Sequence, residues 1–175
     1  MKSKDIAIVG ILLAIGAILR YFLAMLHTPL TPNMIIAFYC LAIILIRPKV
    51  FEALGIGIVA GALSMLISSS MFPPANLISE PIGALVCFGI YAALKNRTKF
   101  APTVTTFIAT LASGFSFAAI AIAFVGATIL SKYNGNLFEF VIVFVPIVVI
   151  TAVFNAIIVQ ILYIPSSRVL VRGQE

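Results

Sequence analysis

Ionisable side chains are scarce in this sequence, and two of them sit where a charge needs a reason. Arg20 and Glu80 each lie within or beside a long apolar run. A charge inside an apolar span is costly unless it has a partner or a purpose. The other acids have ordinary explanations. Asp5, Glu52 and Glu175 fall at segment ends, and Glu139 opens an apolar run, where the helix dipole favours an acid. Glu80 belongs to Pro74-Ala75-Asn76-Leu77-Ile78-Ser79-Glu80-Pro81, the most chemically loaded stretch of the chain. At helical spacing it shares a face with Gly83, Ala84, Cys87 and Tyr91. Small residues let helices approach closely, so that face is expected to point into a bundle. A plainer reading also stands: Pro81 suits the first turn of a helix, and Ser79 or Glu80 would then be its cap.

Arg20 lies fifteen residues beyond Asp5, roughly 22 Å along a helix. Either it bridges to Glu80 or snorkels to the surface, or the pair flanks a cavity. In the second case Glu80 would take an ammonium and Arg20 a carboxylate, an arrangement suited to an amino acid zwitterion. Asn76 stands one turn before Glu80 as a hydrogen-bonding candidate. Thr106, Thr110, Ser113, Gly114, Phe117 and Ala121 form a stripe on one later segment. Hydroxyls there bond to their own backbone or to a neighbouring helix in the common case. Asn155, one turn after Thr151, is harder to dismiss, because a buried amide needs several partners. Pro146 frees a backbone carbonyl one turn earlier, and such kinks border cavities. Aromatic residues including Tyr21, Phe72, Phe117 and Phe124 are available to line a pocket.

These groups must be held by helices in lipid. The chain has 175 residues, 63% of them hydrophobic and 9% charged, with mean hydropathy +1.24. A soluble domain is about 45–50% apolar and about 25% charged. The reading is an all-α integral membrane protein, one domain over residues 1–175, and a soluble enzyme is excluded. Six spans are expected, over residues 6–26, 33–46, 51–71, 76–94, 102–130 and 137–164. The second is short and the fifth long, so the last turns of the fifth are expected to form a separate segment or a loop. The first run lacks a small-residue cleavage site and is read as a span. With both termini cytoplasmic, nine of the eleven basic residues fall on the cytoplasmic side and only Lys132 in an outer loop. Arg20 and Glu80 then share a level in the outer part of the membrane. The outer loops, around His27-Thr28-Pro29, Thr31-Pro32 and Phe72-Pro73-Pro74, are expected to be stiff. The net charge of +6 reads as topology rather than nucleic-acid binding, since no basic stretch is long enough to track a backbone. Cys40 and Cys87 read as buried inert thiols, and no metal or cofactor is expected. No G-x-x-x-x-G-K-[ST] loop is present, so no ATPase is expected in this chain.

Two small-residue patches complete the pattern. Ala7, Gly10, Ala14 and Ala17 form a narrow stripe on the first span, a helix-docking surface for this chain or a partner. Gly57-x-x-x-Gly61 marks the third.

This combination resembles the substrate-binding S component of an energy-coupling factor (ECF) transporter, and within that superfamily the tryptophan-transporter branch. Three stretches carry the likeness: Phe72 to Pro81, Ser113-Gly114 with Phe117 and Val125-Gly126, and Pro146 with Asn155. Gly10-x-x-x-Ala14 approximates the superfamily's Ala-x-x-x-Ala signature. The resemblance implies a multi-pass protein of a prokaryotic plasma membrane that is not itself an enzyme. It implies capture of tryptophan from outside in a pocket under the first loop, and dependence on a transmembrane coupling protein and two ATPases. The expected binding residues are Glu80, Asn76, Arg20, Asn155, Ser113 and Phe117. A vitamin or its precursor is the alternative substrate. An autonomous secondary transporter is the alternative class, disfavoured by the lack of an internal repeat or a chain of intramembrane acids.

Overall fold

A computed structural model describes residues 1–25 and 33–172. Among the described residues there are six α-helices and no strand: α1 (Ser3–Met25), α2 (Met34–Ile46), α3 (Val50–Ile67), α4 (Asn76–Leu94), α5 (Ala101–Leu130) and α6 (Leu137–Arg172). Five are long and apolar enough to cross a membrane, and α2 is a shorter apolar helix. The chain is a six-helix integral membrane protein. Large apolar side chains such as Phe51, Leu66 and Phe124 stand exposed on its surface, where lipid takes the place of water. The first-loop residues His27, Thr28, Pro29, Thr31 and Pro32, and Glu175 at the far end, lie outside the described residues.

The core is built around α2. Its thirteen residues span about 20 Å, short of the roughly 30 Å of a hydrocarbon core. Its residues from Met34 to Ile44 are all buried, because α1, α3, α4, α5 and α6 all pack around it. A helix apolar on every side is satisfied by such enclosure. Arg47 ends it in the left-handed conformation (φ 52°), and the chain turns through Pro48 into α3. There the Lys49 amide donates to Glu52 at 2.7 Å.

The ends of the third and sixth helices differ from expectation, and the local structure of the fourth and fifth resolves what the sequence left open. The third helix stops at Ile67, leaving 68–71 outside it. Serines end it: the Ser70 amide and hydroxyl both bond the Ser68 hydroxyl, at 3.2 and 2.8 Å, in place of a helical bond. The fourth helix begins at Asn76 after a 3-10 turn, Pro73–Ala75, so Pro81 lies inside it rather than in its first turn. Neither Ser79 nor Glu80 caps it; the Asn76 side chain instead donates to the Pro73 carbonyl at 2.8 Å. The fifth helix breaks at Val125 (φ −132°, ψ 27°), just before Gly126, and resumes to Leu130. The sixth passes Pro165 and continues to Arg172. A proline deletes one helical bond, and close to the end of a helix that loss is readily met by water.

Small residues set how closely the helices approach. A Cβ at Gly57 would fall 2.7 Å from the Pro81 Cα, and one at Gly61 would fall 2.7 Å from the Asn76 carbonyl oxygen. Both obstacles are backbone, so α3 seats directly against the start of α4. The first-helix stripe divides. Ala7, Gly10 and Ala14 face outward, whereas Ala17 is buried with Val9, Leu13 and Gly16. Ala17 belongs to the buried core, so only the first three of the four offer an outer surface. Gly61→Leu should lower the unfolding midpoint of the purified protein in detergent, by the equivalent of about 1–3 kcal/mol. An unchanged midpoint would mean that α3 and α4 do not meet this closely.

Candidate functional site

The site forms where α1, α2, α4 and α5 converge. Arg20 lies on the inward face of α1, four residues past Gly16 and seven past Leu13. Glu80 sits in the second turn of α4, 1% exposed. Glu80 is buried and Arg20 half-buried in one neighbourhood, yet they make no ion pair with each other. Asn33, the residue before α2, stands between them. The Arg20 guanidinium donates to its Oδ1 at 2.9 Å, and its Nδ2 donates to Glu80 Oε1 at 2.5 Å. Ser113 of α5 donates to the other carboxylate oxygen at 3.0 Å. A buried carboxylate is tolerable only with such donors and a nearby cation. Of the two sequence readings, the direct salt bridge is therefore set aside, and the pair does flank a cavity.

Asn33 is held from behind. Its carbonyl accepts from the Ile36 amide and from Asn155 Nδ2, each at 3.2 Å. Asn155 Nδ2 also reaches the Thr110 hydroxyl at 3.4 Å, and that hydroxyl donates to the Thr106 carbonyl at 2.8 Å. This fixes which end of the Asn155 amide faces Asn33, because only an NH₂ can serve a carbonyl. Asn155 Oδ1 is left buried with no partner among the described residues.

A cavity of about 330 Å³ opens beside the bridge. Its polar wall includes Arg20, Asn33, Asn76, Ser79, Glu80 and Ser113. Its apolar wall includes Ile36, Ile67, Phe117, Phe144, Ile147 and Val148. Ser68, Ser69 and Ser70 from the end of α3 border it as well. Phe144 stacks on Phe140 with ring centres 5.1 Å apart, and Phe117 packs into the same aromatic cluster. The cavity is amphipathic, with adjoining charges of both signs and an aromatic side.

Five of the six expected binding residues, Arg20, Asn76, Glu80, Ser113 and Phe117, line this cavity. Asn155 does not. It lies fully buried behind the wall and supports Asn33 and Thr110. The sequence reading missed Asn33 and Phe144. Asn33 looked like a helix start, but its side chain makes no capping bond to α2 and reaches across the bundle instead. Phe144 was hidden among fourteen phenylalanines. Among the described residues no three His, Cys, Asp or Glu side chains gather to hold a metal ion.

Comparison with known proteins gives this arrangement a family. The family model described as "Tryptophan transporter TrpP" matches residues 2–171. A "Probable tryptophan transport protein" of Bacillus subtilis (strain 168) is 32% identical over 167 residues, covering 93% of this chain and 90% of that protein. No solved structure matches the chain. A whole-length family match, a relative of this similarity and a bundle of apolar helices lead to one conclusion: the chain belongs to the tryptophan transporter TrpP family, multi-pass proteins of the prokaryotic plasma membrane.

Proposed function

We propose that this chain is the substrate-binding subunit of an ECF-type importer and that its substrate is tryptophan. The observation that carries the reading is the cavity itself: it joins a guanidinium and a carboxylate to an aromatic wall within about 330 Å³. That volume lies at the small end of ligand sites, which run from about 300 to 1,000 Å³. An amino acid with an aromatic side chain satisfies both parts. Its carboxylate goes to Arg20 and its ammonium to Glu80, with Asn76 as a further hydrogen-bonding group. Its ring lies against Phe117 and Phe144, where aromatic contact adds to simple burial. Ser113 orients Glu80, and Asn155 keeps the start of α2 in place.

On this reading, energy comes from other proteins: a transmembrane coupling protein and two ATPase subunits. Two features support it. The sequence carries no phosphate-binding G-x-x-x-x-G-K-[ST] loop. The outward face of α1 also presents Ala7, Gly10 and Ala14, a strip narrow enough for another helix to approach closely.

The chain contains no tryptophan, so the ligand's own fluorescence is readable when it is excited at the red edge. Purified protein should produce a saturable blue shift of L-tryptophan emission that indole-containing competitors reverse. A folded preparation that gives no shift would remove tryptophan as the substrate. Glu80→Gln should weaken tryptophan binding about tenfold to a hundredfold and indole binding far less, as expected for loss of one charge-assisted contact. Equal losses for both ligands would end the assignment of the ammonium to Glu80. Gly10→Leu separates binding from coupling, since nothing lies within 4 Å of that position. It should abolish uptake in cells that carry the coupling proteins while leaving the titration within twofold of wild type. A parallel loss of binding would show that this face serves the fold rather than a partner.

A further inference from the structure

The charged groups of the site are already bridged by a group of the same polarity as an amino acid. Asn33 turns its carbonyl oxygen to the Arg20 guanidinium and its NH₂ to the Glu80 carboxylate. A zwitterion would present its carboxylate and its ammonium in that same order. We propose that the Asn33 side chain is an internal stand-in for the ligand's two charged groups, and that binding of the amino acid displaces it. This deepens the function above and rests on that reading of the cavity.

Four observations carry the inference. Arg20 and Glu80 make no ion pair, so the carboxamide occupies the gap between them. Asn33 itself lines the cavity beside both charged residues, so an incoming group has access to the slot it fills. Its side chain is not used to cap α2. Its backbone is pinned separately, through the Asn155 and Ile36 bonds to its carbonyl, so the carboxamide can rotate away while the start of α2 stays put. Ser113 meanwhile keeps its hold on the second oxygen of Glu80.

The chemistry favours exchange only for a ligand with both charges. A carboxylate binds a guanidinium more strongly than an amide oxygen does, and an ammonium binds a carboxylate more strongly than an amide NH₂ does. A ligand with a single charge gains one of these bonds but strands the group at the other end when Asn33 leaves. The two charges are therefore recognised cooperatively, and Asn33 sets a threshold against monopolar indoles.

The test uses the full chain in detergent with four ligands: L-tryptophan, tryptamine, indole-3-propionate and indole. With wild-type protein, the three analogues should bind alike within about threefold, each at least roughly thirtyfold weaker than tryptophan. With Asn33→Ala, tryptophan should bind roughly threefold to tenfold tighter, because the competent state no longer competes with an internal occupant. The costs of removing each charge should then become separate and multiply. The inference is overturned if the wild-type losses for the two singly charged analogues already multiply to the loss for indole. It is also overturned if Asn33→Ala binds tryptophan no better than wild type, since Asn33 would then be a fixed member of the occupied site. Should that variant fail to fold, the wild-type series decides alone. If folded wild-type protein binds none of the four, the tryptophan assignment falls and takes this inference with it. Tryptophan binding with independent charges overturns the inference alone.

Discussion

A buried carboxylate and a half-buried guanidinium, set close together inside an apolar bundle, govern much of this structure. Each would be expensive alone, and each is tolerable here because the other is near and because neutral donors and acceptors fill the space between. Glu80 accepts from Asn33 and Ser113, Arg20 donates to Asn33, and Asn155 fixes the Asn33 backbone. These residues come from α1, the start of α2, α4, α5 and α6. The charged site is thus also the place where the bundle is cross-linked, and the helices must hold to sub-ångström tolerances for its bonds to form.

Apolar side chains cannot give that tolerance in lipid, where burying them against another helix gains little over burying them in hydrocarbon. Close backbone contact supplies it instead. Gly57 and Gly61 bring α3 onto the start of α4, and Gly114 seats α5 against Val148 of α6, where a Cβ would fall 2.7 Å from the valine Cγ1. Gly83, one turn after Glu80, leaves room for the Tyr39 hydroxyl and the Ser113 side chain. A side chain at Gly83 would press on Ser113, a donor to the carboxylate, as well as open a seam.

How far the sequence discloses this depends on whether the signal is local. Apolar runs and their flanking charges are local, so six helices could be read directly. A lone acid or base inside such a run is local too, which is why Arg20 and Glu80 stood out. Helix ends were read less well: the third helix stops at Ile67 rather than 71, and the sixth passes Pro165 instead of ending at 164. Ala17 matched the spacing of the outward stripe yet is buried in the core. Asn33 was the hardest to see, because its partners Arg20 and Glu80 lie 13 and 47 residues away and its own position reads as an ordinary helix start. Asn155 was correctly singled out as a buried amide in need of partners, but only three-dimensional packing could turn it from the cavity to the wall behind it.

The length of α2 ties these points together. Its far end is anchored at Arg47-Pro48-Lys49, at the same end of the bundle as Lys95, Arg97 and Lys99. A helix of thirteen residues starting from that surface covers about 20 Å and stops well inside a hydrocarbon layer of roughly 30 Å. Asn33 therefore sits at depth, level with an arginine that α1 carries roughly 22 Å past Asp5. A full-length second span would have carried this residue to the surface and filled the space of the cavity with its own last turn. The shortness of α2 thus does two things at once: it leaves a pocket beyond its own start and places a polar side chain in that pocket's wall. Full enclosure by the other five helices makes this possible, because a helix shielded from lipid on every side need not match the thickness of the membrane.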